Sequence, residues 1–160
     1  MDSTIRPIPR RRIPTLPLPP YAYYPGRNAH PFKDPNGHQY GADWFFPFLE
    51  DWPKDEGWLL GLDLFDHGFF WECHEIWEAQ WKTRPRRSQS RVLLQGMIQS
   101  AAALLKPVGS RSAHRLWIAA EERLMTVLDY DRGIDLPATI AIISSALCGQ
   151  DTPRVVGGWP

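Results

Sequence analysis

A histidine and a glutamate four residues apart, His74 and Glu78, form the pair in this chain best suited to chemistry. On an α-helix, positions i and i+4 lie one turn apart on the same face, so an imidazole and a carboxylate can reach one ligand or each other. Trp71 and Trp81 fall on nearly the same face at ~100° per residue. Because such groups are costly to bury unpaired among tryptophans, the pattern indicates a metal site, a proton relay or a hydrogen-bond network.

A divalent metal ion is the first interpretation of this pair. Imidazole and carboxylate groups suit Zn²⁺, iron or Mn²⁺. The spacing is that of the two histidines in HExxH zinc enzymes, although a glutamate stands here in place of the second histidine. Two ligands do not complete a site, so we expect further ligands upstream, from His30 and His38, with Asp34 beside them. Glu75 is the candidate general base.

A structural hydrogen-bond pair is the alternative interpretation. His74 and Glu78 can bond to each other, or to an arginine, within a polar part of the core. Gln95 and Gln99 are also one turn apart and could bond to the pair across a bundle and fix the tautomer of the ring, or they could lie at the surface. Glu72 lies at the flank of the apolar arc, and a solvated acidic position is the interpretation that we favour for it.

Hydrophobic periodicity predicts five helices that position these residues. The pair lies on the second helix, which is apolar around most of its circumference and therefore central. Gly68 and Gly109 turn two helix-Gly-helix hairpins, which favours an all-α, compact antiparallel bundle of four to five helices over a solenoid. The helices are expected from about Pro53 to His67, 69 to 82, Ser88 to before Pro107, Ser110 to Val127, and Pro137 to Leu147.

Composition divides the chain into four parts. Residues 1–20 are rich in proline and arginine and predict a flexible tail. Residues 21–52 combine aromatic side chains with proline-stiffened turns, which predicts an extended arm that packs on the core. Residues 53–150 form the helical bundle domain, and residues 151–160 an irregular tail.

Charge and cysteine content exclude several classes of protein. Lys and Arg balance Asp and Glu at 18 each, so we expect neither a nucleic-acid partner nor a membrane partner, but an unknown small molecule or protein. Two cysteines outside any CxxC pair argue against a disulfide scaffold. Prolines interrupt any apolar stretch near the N-terminus, which argues against a signal peptide and favours a cytoplasmic protein. The oligomeric state is left open.

A longer pattern around the pair resembles a known family. His74-x-x-x-Glu78-x-x-Trp81 is preceded by Phe65-Asp66-x-Gly68-x-Phe70 and followed by Leu94-Gln95-Gly96-Met97-Ile98-Gln99. This run resembles the bacterial and archaeal "domain of unknown function 309" family, which is defined by an HxxxExx(W/Y) motif. The resemblance covers about Glu56 to Leu128, and residues 24–40 resemble the leader of longer members. Cys73 departs from the pattern, since a small residue usually precedes the histidine.

The resemblance implies a small helical bundle with His74 and Glu78 as its signature, and metal binding without an assigned reaction. Two functional hypotheses follow. In the first, the protein is a metal-dependent hydrolase in which Glu75 is the base and the arm closes over the pocket. In the second, it is a non-catalytic binding or interaction module in which the pair is a buried hydrogen-bonded lock.

Overall fold

Residues 8–160 are described by a computed structural model, and every regular element among them is helical. This confirms the predicted all-α fold. A 3-10 helix, Trp52–Lys54, precedes five α-helices, which agree closely with the predicted ones. They are α1 (Glu56–Asp66), α2 (Phe70–Lys82), α3 (Gln89–Leu104), α4 (Arg111–Met125) and α5 (Leu136–Leu147).

Capping side chains explain where four of these helices begin. Each N-cap side chain accepts a hydrogen bond from the backbone N–H three residues later, which satisfies a donor that the first helical turn leaves free. The four caps are Asp55, Ser88, Ser110 and Asp135. Gly68 and Gly109, with φ of +81° and +73°, occupy the left-handed conformation between helices, as the sequence predicts.

Sequential helices pack side by side as hairpins around one core, with α2 between α1 and α3. The largest buried side chains include Trp58 and Phe65 of α1 and Trp77 of α2. Gly61 allows this close approach, because a Cβ atom there would lie 2.1 Å from Nε1 of Trp77. The indole of Trp77 therefore packs directly against the α1 backbone.

The predicted flexible tail extends over residues 1–20, of which residues 1–7 lie outside the described part. In the part that is described, Arg11 and Arg12 anchor the chain to α1. The buried carboxylate of Asp63 accepts hydrogen bonds from Arg11 Nε at 3.0 Å and from the Arg12 backbone N–H at 2.8 Å, and Arg12 Nη1 lies 2.8 Å from Asp66 Oδ2. A count of apolar residues misses this anchoring, because charged hydrogen bonds hold the segment in addition to the partly buried Ile13, Leu16 and Leu18, which pack against the core.

The arm, residues 21–52, follows the surface of α2 mostly in turns. Tyr23 and Phe32 pack against Trp71, with ring centroids 5.0 and 5.7 Å away. At the other end of the chain, an isolated β-bridge joins Ile134 to Gly157. Among the helices that the structure describes, none is long and apolar enough to cross a lipid bilayer.

Candidate functional site

The predicted pair lies on α2 beside a third ionisable group. His74 Nδ1 is 3.3 Å from Glu75 Oε1 and 4.0 Å from Glu78 Oε2. Ligand atoms of the three residues lie within 4.8 Å of one another, and across residues 8–160 this is the only such group of three histidine, cysteine or acidic side chains. The geometry therefore brings together His74, Glu75 and Glu78.

These three side chains are half-buried, not embedded in the core. Their exposed fractions are 26% for His74, 30% for Glu75 and 32% for Glu78. The buried stripe of α2 instead includes Cys73 and Trp77, which lie about 100° around the helix from His74 and Glu78. The expectation of a pair buried among tryptophans is wrong, because the core contacts the neighbouring face of the helix.

The tryptophans on either side of the pair have other contacts. Trp71 packs on the aromatic rings of the arm. Trp81 lies under the guanidinium of Arg91, whose Cζ is 3.9 Å from the ring centroid. Both therefore join α2 to adjacent segments, and no ring contact links either of them to His74 in the described residues.

A cleft of about 430 Å³ opens beside the three groups, between α2 and the arm. Glu75, Glu78 and Lys82 contribute its helix side. Lys82 Nζ lies 3.1 Å from Glu78 Oε1, so the two carboxylate oxygens of Glu78 face different partners, Lys82 and His74. The candidate site is thus open to solvent and to a small molecule.

The arm histidines do not join this group. His38 Nε2 lies 3.0 Å from Glu72 Oε1, and its ring packs on Tyr21 and Trp44. His30 Nδ1 accepts a hydrogen bond from the Phe32 backbone at 3.3 Å, as in a local turn. The arm reaches α2, but it brings neither predicted histidine ligand to His74.

Glu72 differs most from its predicted environment. We expected a solvated carboxylate, whereas the side chain is fully buried between α2 and the arm. It accepts hydrogen bonds from the Tyr23 backbone N–H at 2.7 Å and from His38. Burial raises the pKa of Glu72, and these hydrogen bonds oppose the rise. Its partners come from a segment without regular structure, so helical periodicity gives no signal for them.

The remaining predicted residues, Asp34, Gln95 and Gln99, form no hydrogen bond with His74 or Glu78 in the described chain. Asp34 Oδ1 accepts a hydrogen bond from the Asn36 backbone and closes a turn. Within the described chain, no hydrogen bond joins Gln95 or Gln99 to His74 or Glu78, and the buried Oε1 of Gln99 has no partner. The bundle therefore does not supply the predicted amide contacts to this ring.

A buried polar network around Asp55 is not among the predicted sites. Its carboxylate caps α1 and also accepts hydrogen bonds from Gln80 Nε2 and Arg132 Nη2, both at 2.7 Å. Asp55 and Gln80 are fully buried, and Arg132 is nearly so. The position of Asp55 directly before the helical pattern was a usable signal for the cap, but nothing in the spacing predicts the other partners.

Comparison with known proteins supports the resemblance seen in the sequence. Residues 58–114 match the model of a family described as Domain of unknown function (DUF309), a segment that covers most of α1, all of α2 and α3 and the start of α4, and that includes His74, Glu75 and Glu78. No curated protein and no solved structure matches the chain.

Proposed function

We propose that this chain, in which residues 58–114 match the DUF309 family model, is a metal-dependent hydrolase with its divalent cation held by His74, Glu75 and Glu78. The observation that carries the proposal is the grouping of three ligand atoms within 4.8 Å at the edge of an open cleft. An imidazole and two carboxylates form a donor set that suits Zn²⁺, iron or Mn²⁺.

The two distances measured from His74 support a shared ion. Two atoms that each lie about 2.1 Å from one ion can be at most about 4.2 Å apart. The separations from His74 Nδ1 to Glu75 Oε1 and Glu78 Oε2, 3.3 and 4.0 Å, both satisfy this limit. Glu75 therefore takes the role of a third ligand in the proposal, in place of the general base suggested by the sequence alone.

Lys82 holds the Glu78 carboxylate in a useful orientation. Its ammonium pairs with Oε1, which leaves Oε2 directed toward His74. A ligand that is hydrogen-bonded through its second atom loses less freedom on binding a metal, and this raises affinity. Exposure of Lys82 keeps this contribution modest.

Three protein ligands leave coordination positions open, which is the arrangement of catalytic rather than structural metal sites. When bound, a divalent ion lowers the pKa of a coordinated water to about 7. Glu75 and Glu78 neutralise the charge of such an ion, and the cleft beside them provides room for a substrate. The substrate would enter between α2 and the arm.

The second hypothesis, a buried hydrogen-bonded lock, has less support from the geometry. The 4.0 Å between His74 Nδ1 and Glu78 Oε2 is beyond hydrogen-bond distance, and both side chains are partly exposed. A lock would predict a loss of about 1–3 kcal/mol of stability in His74→Ala, from an unpaired buried group. If His74 is instead a metal ligand, His74→Ala should cost the metal-free protein little stability, because the side chain is partly exposed.

Elemental analysis of protein purified without a histidine tag tests the proposal. We expect close to one divalent ion per chain in the wild type and in Glu122→Gln, a matched change at an exposed carboxylate on α4. Glu78→Gln should lose most of the metal. Equal metal content in Glu78→Gln and Glu122→Gln would contradict the proposal.

A further inference from the structure

The wall of the cleft that faces α2 is aromatic and belongs to the arm. It includes Phe32, Trp44 and Phe45, with Asp43 beside them. Phe32 and Trp44 are held by other rings, since their centroids lie 6.5 Å apart and Phe32 also packs on Trp71 at 5.7 Å. Phe45 is 54% exposed. Phe32 and Trp44 are therefore held in place by other rings, while Phe45 presents its ring to solvent.

The charges in the cleft are unbalanced. Three carboxylates line it, those of Asp43, Glu75 and Glu78, against the single ammonium of Lys82. Lys82 is already paired with Glu78. Asp43 forms no hydrogen bond or ion pair with any residue of the described chain, and it directly precedes Trp44 and Phe45 in the sequence. The cleft thus combines an excess of negative charge with the exposed aromatic ring of Phe45.

We infer that this cleft binds an organic cation, an ammonium group attached to a small apolar or aromatic body. An ammonium ion is attracted both by an unpaired carboxylate and by the face of an aromatic ring within about 6 Å. Asp43 supplies the carboxylate, and Trp44 and Phe45 supply the rings. The volume of about 430 Å³ is that of a small-molecule site.

That this cation is the substrate of the hydrolase rests on the proposed function. The binding of the cation to the cleft does not depend on it. A metal ion at His74 neutralises Glu75 and Glu78 and leaves Asp43 as the unpaired carboxylate. The cationic end of a substrate would then lie against the arm, and its reacting end against α2. Asp43 would be a specificity-determining residue, with no part in metal binding.

Calorimetric titration with benzylammonium, and with benzyl alcohol as its neutral counterpart, tests the inference. In the presence of EDTA, we expect benzylammonium to bind the wild type at least about 10-fold more tightly than benzyl alcohol, because only the cation pairs with Asp43. Asp43→Asn should weaken benzylammonium binding by about 10-fold or more. Asp129→Asn, a matched change at an exposed carboxylate that does not line the cleft, should leave it unchanged.

Thermal unfolding of Asp43→Asn provides a check on folding, and its melting temperature should equal that of the wild type because Asp43 is exposed and unpaired. Equal affinity for the two probes, no benzylammonium binding at millimolar concentration, or full affinity in Asp43→Asn would overturn the inference. Failure of the metal proposal has a different signature: the purified protein lacks metal, yet benzylammonium still binds in EDTA.

Discussion

His38 and Glu72, 34 positions apart in the chain, are joined by a contact of 3.0 Å between Nε2 and Oε1, and their side chains are 1% and 0% exposed. This contact fixes the arm on the helix that carries the candidate metal ligands. It also gives His38 a structural role in place of the metal-binding one that the sequence suggested.

Removal of the imidazole should destabilise the fold. His38→Ala leaves a buried carboxylate with only the Tyr23 backbone as its partner, and we expect the free energy of unfolding to fall by about 3 kcal/mol. Urea denaturation measures this change. His114→Ala, at an exposed histidine on α4, should stay within about 0.5 kcal/mol of the wild type. Similar stability of the two variants would show that the contact contributes little.

The two aspartate caps of α1 and α5 provide a second comparison. Asp135→Ala should cost about 1 kcal/mol, since Asp135 caps α5 from an exposed position. Asp55→Ala should cost about 4 kcal/mol, because it also leaves Arg132 buried without its carboxylate partner. Chemical denaturation of both variants measures the difference. Equal losses would mean that the buried network adds nothing to the cap.

Asp66 should make stability depend on pH. Burial raises the pKa of Asp66 above 3.8, and the contact with Arg12 opposes this rise. The folded state then binds the proton more tightly than the unfolded state does, so this contribution to stability is complete below pH 3.8 and is lost as the pH rises through the folded-state pKa.

We therefore compare the free energies of unfolding of the wild type and Asp66→Asn. The wild-type value minus the variant value should decrease as the pH rises from 3.8 through the folded-state pKa of Asp66, and then level off. Urea unfolding at a series of pH values gives the difference directly. An increase with pH over the same window would mean that the pKa of Asp66 is lowered, with the ion pair to Arg12 dominant over burial.

The helices were predictable because their signals are local. Apolar spacing, a capping serine at Ser110 and the turn at Gly68 each act within a few residues, and the structure places α1 to α5 close to the predicted bounds. The grouping of His74 with Glu78 follows from the same helical geometry, and it needed no tertiary information.

The contacts of the arm were not predictable in this way. Glu72 finds its partners, Tyr23 and His38, in a segment of turns. Gln80 donates a hydrogen bond to Asp55, which also accepts one from Arg132, 77 positions further along the chain. Periodicity reports which face of a helix is apolar, but not which polar group finds a partner across the fold.

Zinc titration into EDTA-treated protein, followed by calorimetry, tests the metal site most directly. We expect one tight site per chain in the wild type and in His114→Ala. His74→Ala removes the imidazole of the proposed ligand group, so it should lose that site or bind zinc at least about 100-fold more weakly. Binding of equal affinity and stoichiometry in His74→Ala, or no binding by the wild type, would contradict the proposed metal site.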